Sequence, residues 1–367
     1  MKVEIIVRAE REKKVEALLG KTLTELQEVA LSVGLQRFAG KQLALWLYVR
    51  RVRTIDEMTN ISLKAREALK ASYTVGRHKP VREAVSLDGT RKYLFEVCLS
   101  EGRSFIETVY IPEDDRATLC VSTQAGCKMG CRFCMTGTLG FHGHLPASEI
   151  LNQIFEIDEL AVSHQLSALS NLVYMGEGEP MDNLDAVLRS LEIMTADYGC
   201  AWSPKRITVS SVGIPALRRF LDESECHVAI SMHNPFALER AEIMPAQKIM
   251  PIADVITLLK QYDWSHQRRV SFEYICWGGQ NDTVRHAKEI IRLLKGLNCR
   301  MNLIRFHEGV EDYSKHPNMP VFRGSNERSM EFLRDYLSAH GITTTIRRSR
   351  GEDILAACGM LVNSLEF

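Results

Sequence analysis

No stretch of this sequence stays apolar for the roughly 20 residues a helix needs to cross a bilayer, so no helical membrane span is expected and no membrane partner. The opening residues, MKVEIIVRAEREKK, are charged where a secretion signal would be apolar. We therefore expect a cytoplasmic protein whose thiols stay reduced. Internal repeats and low-complexity tracts are missing too, which excludes a solenoid; 367 residues suffice for one large domain and a smaller one. An overall charge of either sign is also lacking, with 46 basic against 46 acidic residues. The balance is uneven along the chain. Residues 1–80 hold sixteen Lys and Arg against nine Asp and Glu, leaving 30 against 37 in the rest. A basic module on an acidic body points to a polyanionic partner, nucleic acid first. A solvated basic helical surface is the other reading.

Cysteine, by contrast, is plentiful. Ten of them in a reducing compartment argue for metal binding or catalysis more than for structural disulfides. Their surroundings follow from the chain's organisation. Residues 1–80 read as helical: TLTELQEVALSVG has a capping-box start at Thr22 and Glu25 and a stop at Gly34, and Asn60 and Ser62 are cap candidates before LKAREALKA. Residues 81–116 change to short alternating runs with a turn at Asp88-Gly89, the pattern of a hairpin linking region. From 117 to 348 strand and helix patterns alternate, beginning at ATLCVST and NLVYMG. This is an α/β pattern that implies a parallel sheet, closed or partly closed as a barrel, with its chemistry at the C-terminal strand ends. Residues 349–367 form a short tail.

Just after the first of these strands comes CKMGCRFCMTG, with Cys127, Cys131 and Cys134 in C-x3-C-x2-C spacing. Glycines 126, 130 and 137 allow the loop to curl so that three thiolates face one point. Three soft ligands without a fourth nearby suit an iron–sulfur cluster with one open iron. Zinc, which in structural sites takes four protein ligands, and unrelated reduced thiols are the alternatives. MGEGEP ends the second strand, and its Gly178 and Glu179 could admit and pair with an ammonium. Ser210, Ser231, Met232 and His233 follow at the ends of the third and fourth strands. Cys98, Cys200, Cys226, Cys276 and Cys299 fit no motif and read as packing residues.

Together these features resemble the radical S-adenosylmethionine (SAM) superfamily. The resemblance implies a partial (β/α)6 barrel and a [4Fe-4S] cluster on Cys127, Cys131 and Cys134. It implies SAM bound by the open iron through its amino and carboxyl groups, and cleavage to a 5′-deoxyadenosyl radical. Gly178, Glu179, Ser210, Ser231, Met232 and His233 would contact that SAM. The match is closer still to the RlmN/Cfr family of RNA adenine methyltransferases, because IETVYIP, LCVSTQAGCKMGCRFCMTG, MGEGEP, MNLIR and RGEDILAACG occur in that family's order. GLQRFAGKQLALWLY and DEMTNIS resemble its helical RNA-binding N-terminal domain.

The family resemblance gives further residues a role. Cys358 would accept a methyl group from one SAM, and a second SAM would supply the radical that activates it for addition to an adenine ring carbon. Cys120 would then form a disulfide with Cys358 and release the base, with Glu107 as proton acceptor. Arg347, Arg348 and Arg350 lie close enough in sequence to favour a Cys358 thiolate. His307 stands at a SAM-contacting position where the family has Asn, and Glu177 stands where the family often has Met. MGEGEP and QAGCKMGCRFCMTGT are nearer to RlmN than to Cfr-type enzymes, which implies methylation at C2 of adenosine in 23S rRNA and tRNA. Cfr-type C8 methylation and a non-catalytic RNA-binding iron–sulfur protein remain the alternatives. A low-potential electron donor such as flavodoxin is implied, and we expect a monomer.

Overall fold

The computed structural model describes residues 15–100, 102–265, 268–307 and 322–361; the charged opening stretch and the last six residues of the tail lie outside them. One ten-stranded sheet organises the molecule. Its strands are β1 (Arg82–Val85), β2 (Arg91–Leu99), β3 (Gly102–Pro112), β4 (Ala117–Cys120), β5 (Asn171–Tyr174), β6 (Ile207–Ser211), β7 (His227–Ser231), β8 (Val270–Cys276), β9 (Arg300–Arg305) and β10 (Thr343–Ile346). They lie side by side in chain order. β1 to β4 pair antiparallel, and every pairing from β4 to β10 is parallel. The Asp88-Gly89 turn joins β1 to β2, and the strands of the hairpin region continue the sheet edge rather than standing apart from it. The six-strand parallel run from β4 to β9 is followed by a seventh parallel strand, β10.

The register sorts the side chains by face, since partners across a ladder and residues two apart share one side. Val109 lies opposite Lys92 on one side and Cys120 on the other, and Cys120 lies opposite Val173. The same face continues through Thr208, Ser210, Ala229, Ser231, Ser271, Glu273, Asn302 and Thr345. This inner face is largely polar. Between these residues lie Val209, Val228, Ile230, Phe272, Met301 and Leu303, all buried in the main core. Helices Ala147–Ser163, Leu184–Thr195, Ile252–Leu259 and Val284–Leu294 contribute their own buried stripes to that core. A one-residue slip would send the whole polar set into the core, so the alternation fixes the register.

The N-terminal module is helical, and the local signals account for it. Thr22 and Glu25 form a reciprocal capping box at the start of Leu23–Ser32, and Gly34 follows with a left-handed φ of 78°. Ser62, rather than Asn60, caps Leu63–Lys70; the Asn60 side chain instead accepts a hydrogen bond from the Trp46 indole.

Much of the module's basic surplus faces the rest of the protein. Arg53 meets Glu156 in a fork at 3.0 and 2.9 Å. Arg77 pairs with the same carboxylate at 2.7 Å and with Glu159 at 2.6 Å. Arg51 pairs with Asp158 at 2.6 Å. All three acids lie on helix Ala147–Ser163, so these arginines dock the module. Among the described residues the basic excess read from the sequence is only partly available to a polyanion, with Arg37, Lys41, Arg50, Lys64 and Lys79 among those still exposed.

Glu156 and Arg77 both have fully buried side chains. Glu156→Gln should therefore leave two guanidinium groups short of their partner and cost about 3–5 kcal/mol of stability. Chemical denaturation checks this; a loss under about 1 kcal/mol would mean that apolar packing alone docks the module.

Candidate active site

The three-cysteine loop leaves the sheet immediately after β4. A short antiparallel pair, Gln124–Gly126 against Phe141–His144, closes its base, and Cys127 N donates to the Gly140 carbonyl at 2.8 Å. Gly126 is required here: φ is 68°, and a Cβ would sit 1.9 Å from the Gly140 oxygen. All three thiols sit in protein surroundings, and burial pushes Cys127 up to about 12 and Cys131 and Cys134 upward as well. Among the described residues no three His, Cys, Asp or Glu side chains close on one point tightly enough to hold a single ion. Thiolates sharing one zinc would stand about 3.8 Å apart, given a Zn–S bond of about 2.3 Å. A multi-iron cluster takes each thiolate on its own iron, and three soft donors on one curled loop fit such a group.

Beyond β5 the backbone turns sharply through MGEGEP. Gly178 has φ of 96°, and a Cβ there would lie 2.6 Å from the Gln124 side chain. Glu179 is buried, its carboxylate accepting from Met181 N at 3.1 Å and from Val212 N at 2.9 Å. Burial raises this carboxyl to about 7. It takes part in no ion pair among the described residues, which leaves a buried acceptor suited to a ligand's ammonium.

Glu177 has a different place. It too is buried, but its carboxylate accepts from Glu107 N at 2.6 Å and Gly126 N at 3.2 Å. It therefore ties β3 to the base of the cysteine loop.

Ser210 is half-buried and donates to the Tyr174 carbonyl at 3.0 Å. Ser231 lies on the inner face at the end of β7. Met232 points the other way and is wholly buried in the core. His233 is buried with φ of 53°, and its Nδ1 accepts from Ile275 N at 3.1 Å. Burial, with Arg240 adding to it, pushes His233 down to about 3, so the ring is neutral at physiological pH. Its edge meets Phe133 at 4.7 Å, within an apolar cluster that includes Trp277 and Phe322. Arg240, fully buried, donates to the carbonyls of Val212, Ser231 and Met232 and so holds the ends of β6 and β7 together. His307 faces the root of the tail, 2.6 Å from Ser349 Oγ and 3.4 Å from a Glu352 oxygen.

The tail folds back across the other side of the site. Asp88 accepts from Gly351 N at 3.0 Å, and Asp353 accepts from Ser86 Oγ and from Leu87 N. Past Cys358, the Gly359 carbonyl accepts from Met135 N at 2.8 Å and the Leu361 carbonyl from Thr136 Oγ1 at 3.2 Å. The tail thus spans from the β1–β2 turn to the cysteine loop. Cys120 packs in a small apolar cluster with Val109, Ile354, Ala356 and Leu361. Its thiol is pushed up to about 12 by burial, with Cys358 adding to the effect.

Cys358 keeps solvent-accessible surface, yet protein surrounds it at longer range and raises its thiol to about 12, with Glu273 and Cys134 reinforcing the shift. The arginines do not produce the thiolate expected of them. Arg347 alone of the three opposes the rise, and burial outweighs it. Arg350 faces Asp88 at 3.9 Å.

Glu107 completes the group, on the same sheet face as Cys120 and two residues along β3 from Cys120's cross-strand partner Val109. Its carboxylate pairs with Lys92 at 2.9 Å, both side chains fully buried. Sequence reasoning passed over Lys92 and Glu273. The alternation Ser271, Phe272, Glu273, Tyr274 was the available signal for Glu273.

Comparison with known proteins gives the class first. The Radical SAM superfamily model matches residues 121–294. The crystal structure of a radical SAM methyltransferase from Sphaerobacter thermophilus aligns with a TM-score of 0.85 at 35% identity, covering 95% of this chain and 100% of that one. The fold is that of a radical SAM enzyme. The ribosomal RNA large subunit methyltransferase N-terminal domain model matches residues 17–75. A probable dual-specificity RNA methyltransferase RlmN from Phocaeicola vulgatus is 56% identical over 94% of each chain. The dual-specificity RNA methyltransferase RlmN of Syntrophobacter fumaroxidans is 39% identical over 93% of this chain and 96% of its own. The chain belongs to the RlmN family of radical SAM RNA methyltransferases.

Proposed function

We propose that this enzyme methylates C2 of an adenosine in 23S rRNA and in tRNA, through an S-methylcysteine at Cys358 and with two SAM molecules per turnover. The observation that carries this reading is the convergence of the Cys358 tail on Cys120, beside Glu107 and the cysteine loop. A protein that only bound RNA would have no use for that grouping. Residues 1–80 serve as the RNA-binding module, the strands of 81–116 as the cradle of the tail, 117–348 as the barrel and 349–367 as the carrier of the accepting thiol. We place the reaction in the cytoplasm, with a low-potential donor such as flavodoxin supplying electrons and the chain acting as a monomer. No helix among the described residues is long and apolar enough to cross a membrane.

Cys127, Cys131 and Cys134 would hold a [4Fe-4S] cluster, and Glu179, Ser210, Ser231 and His233 would line the SAM site around it. When bound there, the cluster and SAM would supply a 5′-deoxyadenosyl radical, able to take a hydrogen atom from an unactivated methyl group. The chain's own residues direct the rest. The Cys358 thiol lies well above its usual range, so the cationic sulfonium of an incoming SAM would favour its thiolate; the thiol proton would pass to solvent, the methyl to the Cys358 sulfur, and S-adenosylhomocysteine would leave. An adenine C2 is not nucleophilic, so it cannot take that methyl by displacement, whereas a carbon radical on the Cys358 sulfur can add to it. The radical adduct would give up one electron, for which the oxidised cluster would be the acceptor, and Glu107 would accept the ring-carbon proton. Cys120 then attacks the Cys358 sulfur, an S–S bond replaces the S–C bond, and the methylated base departs after protonation. The target base must leave its stack for any of this to occur.

Peptide mass spectrometry of protein purified from cells making SAM should find one added methyl on the Cys358 peptide. Unmodified Cys358 in protein that actively methylates RNA would overturn the reading.

A further inference from the structure

Among the described residues, Lys92 is a buried charge that the proposed chemistry leaves without a role. Lys92 lies on the inner face of β2, opposite Val109 on β3, which in turn lies opposite Cys120 on β4. Its side chain is fully buried, and its ammonium stands 2.9 Å from the Glu107 carboxylate. From β5's end, Glu177 adds a second negative charge toward it. From the tail, the Leu355 carbonyl accepts from Lys92 Nζ at 3.3 Å. Leu355 is three residues before Cys358 and holds a left-handed φ of 53°, a conformation that a leucine keeps only under constraint. An isolated buried ion pair is seldom better for stability than apolar residues of similar volume. Here the same ammonium also reaches the segment that carries Cys358, which a purely structural pair would not need.

We propose that Lys92 is a positioning residue for the transfer chemistry, aiming the Glu107 carboxylate while seating the tail through Leu355, so that one group sets proton acceptor and accepting thiol relative to each other. The inference rests on the reading of Glu107 as proton acceptor. Burial pulls the Lys92 ammonium below its usual range, and the Glu107 and Glu177 carboxylates oppose that.

The test uses reconstituted full-length Lys92→Met, Lys92→Arg and Glu107→Gln, with RNA carrying hydrogen or deuterium at the reacting ring carbon. Lys92→Met should still methylate Cys358 and cleave SAM, yet turn over about 10²-fold more slowly, the usual value of a positioned proton acceptor. A covalent protein–RNA species should accumulate, and deuterium should slow this variant while leaving the wild type unaffected. Lys92→Arg, which keeps the charge, should recover most of the rate. If Lys92→Met does not fold, Lys92→Gln, which can still donate to Leu355, takes its place. Wild-type turnover by Lys92→Met would overturn the proposal. So would a slow variant that loses Cys358 methylation equally and shows neither adduct nor isotope effect. An inactive Glu107→Gln beside a fully active Lys92→Met removes only the role of Lys92; an active Glu107→Gln removes the reading beneath it.

Discussion

Cys120→Ala is expected to stop turnover and leave RNA covalently attached to the protein through Cys358. Once the methylene carbon has bonded to the adenine ring, the remaining link is a thioether, which neither water nor a carboxylate cleaves under these conditions. A second sulfur must take the Cys358 sulfur, and Cys120 is the thiol packed against the tail, among Val109, Ala356 and Leu361. Its apolar surroundings hold the thiol near 12, so it is unreactive until a base or the substrate's own proton transfer assists it. That restrains premature disulfide formation with Cys358, and both cysteines are free thiols in this structure. Denaturing gel electrophoresis with labelled RNA should show a nuclease-sensitive shifted band for Cys120→Ala and none for the wild type. Normal turnover by this variant would reduce Cys120 to a small packing residue.

Cys358→Ala should abolish RNA methylation by at least about 10³-fold, the scale on which covalent nucleophiles matter. The protein should still fold, because this segment is held by main-chain carbonyls of Leu355, Gly359 and Leu361 and the Cys358 side chain stays solvent-accessible. It should also still cleave SAM to 5′-deoxyadenosine, since the cysteine loop and the Glu179 turn are unaltered. Uncoupled cleavage without methylated RNA separates loss of the acceptor from loss of the cluster. Appreciable methylated RNA from this variant would remove the S-methylcysteine route altogether.

These expectations began with features that a chain carries locally. The C-x3-C-x2-C spacing, the glycines that bend its loop and the Gly178-Glu179 turn are each confined to a few residues, so the sequence alone exposed them. The strand–helix alternation was equally plain, and with it the expectation of chemistry at the C-terminal strand ends. What stayed hidden depended on register or on long-range partners. Lys92 read as one polar residue in a β strand, and only its opposition to Val109 brings it beside Glu107 and the tail. Glu177 drew notice as an extra carboxylate near a ligand, whereas the backbone amides of Glu107 and Gly126 claim it. Met232, next to the polar Ser231, falls on the core side because alternate residues face opposite ways. The arginines before the tail are near Cys358 in sequence, but burial dominates the thiol's proton. Likewise, Arg51, Arg53 and Arg77 counted toward an RNA-binding charge until their carboxylate partners on helix Ala147–Ser163 came into view.

Regiochemistry is where the account can be tested most directly. Purified, reconstituted protein would be incubated with SAM, a reductant and unmodified 23S rRNA or tRNA, and the RNA digested to nucleosides for mass spectrometry against authentic standards. The account predicts 2-methyladenosine in both RNAs, its methyl group bearing the label of methyl-labelled SAM. 8-Methyladenosine, or no methylated adenosine from protein that cleaves SAM and carries its cluster, would contradict it.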